Sequence, residues 1–233
     1  MSHRRILYDL AGADPARRFS PFCRRTRLAL AHKGLEVETV PWRFTATERI
    51  AFSGQGLVPV LVDGDRTLSD SWTIATWLEE AYPDRPSLFG GGGGLATARF
   101  VNAWADGVLH PAVSRLAILD VLACLAPEDA DYFRRSREAR FGTTLEGWAA
   151  EPEARLAEFR RTLQPLRNVL KAQPWLGGAV PLYADYIAFG AFQWARAVSP
   201  LRLLEADDPV AEWRGRVMDL FGGLARRAVG HEL

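Results

Sequence analysis

Over roughly its first eighty residues the chain changes its apolar period element by element. Ile6-Leu7-Tyr8 is a short apolar run that predicts a strand, and Ala11 to Phe19 is a loop rich in small and polar residues. Ser20-Pro21 then opens a helix, because serine caps well and proline suits the first helical position. Leu28, Ala29, Ala31 and His32 carry that helix to Gly34, a favourable stop. Val37 to Pro41 predicts a second strand, and Thr45 to Phe52 a short helix. Val58 to Val62 and Arg66 to Leu68 flank Asp63-Gly64-Asp65, a strong hairpin signal. From Ser71 to Tyr82 the apolar positions Ile74, Ala75, Leu78 and Ala81 fall at helical spacing.

The predicted order is therefore β-α-β-α-β-β-α. Strands separated by helices argue a sheet that starts parallel, and the hairpin adds an antiparallel end. Five glycines, Gly90 to Gly94, follow this unit and predict a flexible linker. Everything beyond them reads helical. Leu95 to Ala123 is long, with a kink expected at His110-Pro111, and Pro152 to Ala172 forms a second amphipathic helix. Trp175-Leu176-Gly177-Gly178 is a turn, and Tyr183 to Val198 is apolar nearly all round, as a buried central helix should be. Asp131 to Gly147 is charged and less patterned, and Pro209 to Ala228 closes the chain. The organisation expected is an α/β domain over residues 1–89, a glycine-rich linker over 90–95 and an all-helical domain over 96–233.

Composition narrows the function classes. Of 233 residues 48% are hydrophobic, enough for a substantial core, and the net charge of +1 offers no footprint for nucleic acid or an anionic membrane. No apolar stretch approaches the roughly 20 residues that span a bilayer. The start Met1-Ser2-His3-Arg4-Arg5 does not resemble a secretion signal, and two cysteines, Cys23 and Cys124, do not demand a disulfide, so a reducing cytoplasm is the expectation. His3, His32, His110 and His231 show no metal-ligand spacing, and Gly90 to Gly94 lacks the lysine of a phosphate-binding loop.

Three local patterns carry chemistry. Ser20-Pro21-Phe22-Cys23 sits at a helix start, where free amides and a partial positive charge favour an anion. Thioredoxin-like domains keep their reactive sulfur at this place. Here the leading position is a serine, so the sulfur must come from a ligand, and Cys23, a turn further in, reads as structural. Val58-Pro59 puts a proline at the head of a strand that otherwise reads as buried, a position that suggests a cis bond and a backbone left to pair with an extended ligand. Asp70-Ser71 caps the next helix and offers a site for a carboxylate. Asp185, in the first turn of the central helix, reads as a structural cap.

Taken together, Ser20-Pro21-Phe22, Val58-Pro59, Asp70-Ser71 and Ala184-Asp185 make the chain resemble the cytosolic glutathione transferases over nearly its whole length. The segments from Arg25 to Gly34, Asp70 to Ala75, Tyr82 to Pro86, Asp131 to Glu138 and Trp175 to Gly178 resemble one branch, the bacterial glutathione-dependent β-aryl ether cleaving enzymes and related fungal transferases. Two features depart from the pattern. Leu182 stands where the central helix usually opens with Ser or Thr, and the chain ends soon after its last helix, where some ether-cleaving relatives carry a long tail.

The resemblance implies a thioredoxin-like N-terminal domain, an all-helical C-terminal domain and a homodimer. It also implies glutathione as co-substrate, with Ser20 donating a hydrogen bond to its thiolate. The Val58 backbone before Pro59 would hold the cysteinyl part and Asp70 with Ser71 the γ-glutamyl end, with Gln55 and Arg43 weaker candidates for the glycyl carboxylate. A small hydrophobic or aromatic electrophile would lie near Phe22, Trp104, Val108 and Arg115. Two other readings are disfavoured: a non-catalytic interaction module that keeps the fold, against which the intact Ser20 and Asp70-Ser71 argue, and thiol-disulfide exchange through Cys23, which needs a leading sulfur that Ser20 denies.

Overall fold

The structure is a computed structural model and describes residues 4–232; His3 of the metal reading lies outside them. Four strands, β1 (Arg5–Leu10), β2 (Glu38–Trp42), β3 (Val60–Asp63) and β4 (Arg66–Ser69), form one sheet in the order β2-β1-β3-β4. β1 and β2 run parallel, and β3 and β4 run antiparallel to their neighbours, as the separating helix and the Asp-Gly hairpin require. Helices α1 (Pro21–His32) and α2 (Ser71–Ala81) complete this half, and the short helix expected at Thr45 is a 3-10 turn, Thr47–Ser53. Residues and order match a thioredoxin-like domain.

The helical half comprises α3 (Gly92–Trp104), a π-helical segment (Ala105–Leu109), α4 (His110–Ala123), α5 (Pro127–Phe141), α6 (Leu145–Trp148), α7 (Pro152–Thr162), α8 (Gln164–Ala172), α9 (Tyr183–Val198) and α10 (Pro209–Gly223). Three expectations change. The glycine run does not stay outside regular structure, since α3 begins at Gly92. Gly90 and Gly91 take positive φ to reverse the chain, and a Cβ on Gly94 would lie only 1.7 Å from Phe89 O. Glycine is thus required by a close backbone approach. The kink at His110-Pro111 takes the form of a π segment, in which His110 N–H reaches back to Ala105 O. The helix expected over Pro152 to Ala172 breaks at Leu163, because Pro165 supplies no N–H to continue the ladder.

α9 is the axis of the molecule. All its residues except Trp194 are buried, and it packs against α1 on one side and α3 and α4 on others. Gly190 permits the contact with α1, since a Cβ there would stand 2.7 Å from Pro21 O. The N-terminus of α9 is held by Asp185, fully buried, whose Oδ1 accepts from Leu176 N–H (2.8 Å) and Trp213 Nε1–H (2.8 Å). Its Oδ2 accepts from Gly177 N–H (3.0 Å) and Leu182 N–H (3.0 Å). The aspartate half of a capping box is present, while the Leu182 side chain has no oxygen to return the bond. A second tie joins the halves: Asp129 on α5 accepts from Thr45 N–H (2.9 Å) and Oγ1–H (2.7 Å) in the loop after β2.

Candidate active site

Several chain segments meet at one end of the sheet. β1 ends at Leu10, and the loop beyond it returns so that Phe19 N–H donates to Leu10 O (3.3 Å), which delivers Ser20 to the strand end. Pairing of β3 stops at Tyr8↔Val60 on one side and Val60↔Ser69 on the other, so Val58 and Ser71 both lie just past the last rung. β2 ends at Trp42 opposite Leu10, and Arg43 leaves from there. The Val58-Pro59 bond is cis.

Ser20 is the N-cap of α1 and is nearly buried; its Oγ accepts from Cys23 N–H at 3.2 Å. Accepting uses a lone pair and leaves the hydroxyl proton free to donate. The cap also sits where the helix dipole is positive. Cys23 itself is fully buried, and burial together with the neighbouring Asp9 pushes its thiol well above the ordinary value. A thiol held protonated is a poor nucleophile, which counts against exchange chemistry at Cys23.

Asp70 adopts φ 69°, a left-handed backbone that costs a non-glycine residue about 1–3 kcal/mol. Its Oδ1 caps α2 by accepting from Trp72 N–H (3.0 Å) and Thr73 N–H (2.9 Å), and the residue is exposed. Ser71, by contrast, is buried. Arg25 Nε donates to its Oγ (2.8 Å), and Tyr183 OH donates to its carbonyl (2.7 Å). Burial pushes the Tyr183 hydroxyl up to about 12, so it remains a donor. Gln55 is exposed on the loop before Val58, its N–H donating to Ser53 Oγ. Arg43 pairs with Glu128 (2.7 Å) and Asp129 (3.4 Å) across to α5, so its charge is already engaged.

The residues expected around an electrophile divide. Phe22 is half-buried under the Arg25 guanidinium (4.8 Å to the ring centre) and meets His110 edge-on at 5.1 Å. Val108, 39% exposed, lies in the π segment, and half-buried Trp104 ends α3. Arg115 is engaged with α6, where its guanidinium stacks 3.8 Å above the Trp148 ring. Sequence reasoning missed Arg25, Tyr183, Asp106 and His110, all at or beside the site. A cavity of about 570 Å³ lies elsewhere, among Arg4, Arg27, Leu35, Val37 and Leu224. That cavity includes neither Ser20, Val58, Asp70 nor Ser71, and the convergence of polar groups at the sheet end carries more weight.

Residues 19–81 match the family model described as glutathione S-transferase, N-terminal domain, and residues 96–222 match the glutathione S-transferase C-terminal domain. The chain belongs to the glutathione S-transferase family. Glutathione S-transferase 4 of Zea mays is 28% identical over 219 residues, covering 92% of this chain and 87% of that protein. A zeta class glutathione S-transferase of Euphorbia esula is 42% identical over 69 residues, which is 28% of this chain and only 31% of its relative's length. The fold is also that of glutathione transferase GSTFuA3 from Phanerochaete chrysosporium, with a TM-score of 0.82 and 24% identity over 93% of this chain and 97% of that one. CsGST63524 of Ceriporiopsis subvermispora, solved in complex with glutathione, superposes with a TM-score of 0.78 and 24% identity over 94% and 96% of the two chains. Among the described residues of this transferase-family chain, no helix is long and apolar enough to cross a membrane.

Proposed function

We propose that the protein is a glutathione-dependent transferase that turns the bound thiol into a nucleophile against a small, apolar, aromatic electrophile. The observation that carries this reading is the Ser20 hydroxyl, which accepts from Cys23 N–H and keeps its own proton to donate at the start of α1. Free thiols titrate near 8.5, and helix N-termini and positive neighbours lower that to roughly 3.5–7.5. A thiolate at Ser20 has such a setting.

The rest of the tripeptide follows from the groups at the sheet end. The Val58 backbone pairs with the cysteinyl unit as an added strand would. Asp70 uses Oδ1 as a helix cap, which leaves Oδ2 to take the α-ammonium of the γ-glutamyl end. Ser71 accepts from Arg25 and can donate its own proton to the adjoining carboxylate. Gln55 is the better placed of the two candidates for the glycyl carboxylate, because Arg43 would have to leave Glu128. Phe22, Trp104 and Val108 then border the acceptor. In the narrower form of the proposal, the thiolate attacks carbon and expels a phenoxide, which is the substitution step of β-aryl ether cleavage; the working unit is a homodimer in the cytoplasm.

The test is Ser20→Ala with glutathione and a panel of aryl ethers and halogenated aromatics. Loss of one charge-assisted hydrogen bond, about 1.5–3 kcal/mol, predicts a roughly 10–100-fold fall in turnover. An unchanged rate removes Ser20 from the chemistry, and failure of the unaltered protein to bind immobilised glutathione removes the transferase reading altogether.

A further inference from the structure

Phe22, two residues beyond Ser20, meets the helical half at His110. The two ring centres are 5.1 Å apart and the planes are inclined at 71°. His110 begins α4 directly after the π segment and is 9% exposed. Asp106 Oδ1 stands 3.3 Å from its Nδ1, close enough for charge attraction but off the line of a straight hydrogen bond. Trp194 of α9 faces the same ring at 6.4 Å, and the charged group that acts on it from α1 is Arg25. The remaining nitrogen, Nε2, is enclosed and has no hydrogen-bond partner among the described residues. Buried polar atoms are seldom left this way.

The surroundings fix what that nitrogen can do. Burial first, and then the Arg25 charge, hold the imidazole below its ordinary value, outweighing Asp106, so the ring is neutral at neutral pH. Burial also opposes the charge on Asp106, but its contact with His110 and the Arg25 charge prevail and keep it an anion. An anion beside Nδ1 selects the tautomer with the proton on Nδ1, which leaves a lone pair on Nε2. An orienting carboxylate, an imidazole with a free nitrogen and a nucleophile to be deprotonated are the parts of a nucleophile–histidine–acid triad, with the nucleophile supplied by the substrate.

On the strength of the glutathione reading, we propose that His110, oriented by Asp106, carries the proton through the transfer. Its Nε2 accepts the thiol proton as glutathione docks at Ser20: the S–H bond breaks, its electron pair stays on sulfur, and an N–H bond forms. The thiolate then forms the S–C bond while the C–O bond of an aryl ether breaks with its pair on oxygen. That oxygen takes the proton back from Nε2. Glutathione and aryl ether become thioether and phenol, and no oxidant or reductant is needed. Because Nε2 is enclosed and the half-buried Phe22 ring meets His110 edge-on at 5.1 Å, this step requires the Phe22 ring to turn aside as the thiol arrives.

The test uses the full-length protein with His110→Gln and Asp106→Asn. Ionisation of bound glutathione is followed by thiolate ultraviolet absorbance against pH, and turnover is measured with an aryl ether and with an aryl chloride, whose leaving group needs no proton. His110→Gln should raise the thiolate midpoint by about one pH unit and cut aryl ether turnover near pH 6.5 at least about tenfold. The aryl chloride at high pH should fall much less. Asp106→Asn, at a partly exposed position that threatens folding less, should move both readouts the same way by a smaller amount. Thiolate titrations and pH profiles that superpose on those of the unaltered protein overturn the role of His110 while glutathione still binds. Absence of glutathione binding in the unaltered protein would instead overturn the transferase reading on which it rests.

Discussion

Replacing Asp185 with Asn tests the anchoring of α9 with a nearly isosteric change. Each carboxylate oxygen accepts two N–H groups: Leu176 and Trp213 on Oδ1, Gly177 and Leu182 on Oδ2. An amide offers one accepting oxygen and one NH2 group. Whichever way the amide is turned, two donors face a donor. Two charge-assisted bonds are lost, at about 1.5–3 kcal/mol each, so the loss of stability should be about 3–6 kcal/mol. With a urea dependence of about 3 kcal/mol per molar for a chain of this size, the unfolding midpoint should fall by about 1–2 M. Urea unfolding followed by tryptophan fluorescence reads this directly, since Trp213 is one of the partners. A loss below about 1 kcal/mol would mean the turn at Gly177 relaxes to satisfy itself, and the four-donor account would be wrong.

Gly190→Ala should destabilise by about 1–3 kcal/mol, because the new methyl meets Pro21 O and α9 must retreat from α1; thermal unfolding checks it, and an unchanged midpoint would show the contact to be slack. Asp70→Asn keeps a capping oxygen and tolerates the left-handed backbone, so stability should hold while glutathione affinity falls roughly tenfold or more by calorimetry. Equal affinity would exclude the carboxylate from ligand binding. His32 is held below the ordinary histidine value chiefly by burial, with Nε2 donating to Ser87 O and Nδ1 accepting from Tyr186 OH. The unfolded chain therefore takes up the proton first, and stability should decline as pH falls below about 6.5. His32→Asn should flatten that decline in urea midpoints taken from pH 7.5 to 5.5, and an equally steep decline would place the titration elsewhere.

What the sequence showed plainly was what short-range chemistry decides. The cap at Ser20-Pro21, the Asp-Gly hairpin and the apolar run of α9 are local signals, and each element begins where its residues say. The glycine run misled because composition reports freedom, whereas Gly94 is glycine for lack of space beside Phe89 O. Ser20, Val58 and Ser71 lie at the same end of the sheet, but their partners do not announce themselves. Arg25 meets Ser71 46 positions along, and Phe22 meets His110 across the two halves. An arginine and a histidine inside ordinary helices carry no pattern that would reveal such distant pairing. Arg43 shows the converse: a free-looking cation in the sequence, captured by carboxylates that only the fold brings near.

The missing side chain at Gly190 also bears on how such chains can be recombined. Because α9 touches the carbonyl of Pro21, one residue beyond Ser20, the N-terminal end of α1 is shaped by a helix more than 160 positions downstream. A chimaera that joins this N-terminal half to the helical half of another transferase inherits the residue at that one contact. Grafts that bring a glycine there should preserve the seat of Ser20, while those that bring a larger residue would need α1 exchanged along with α9.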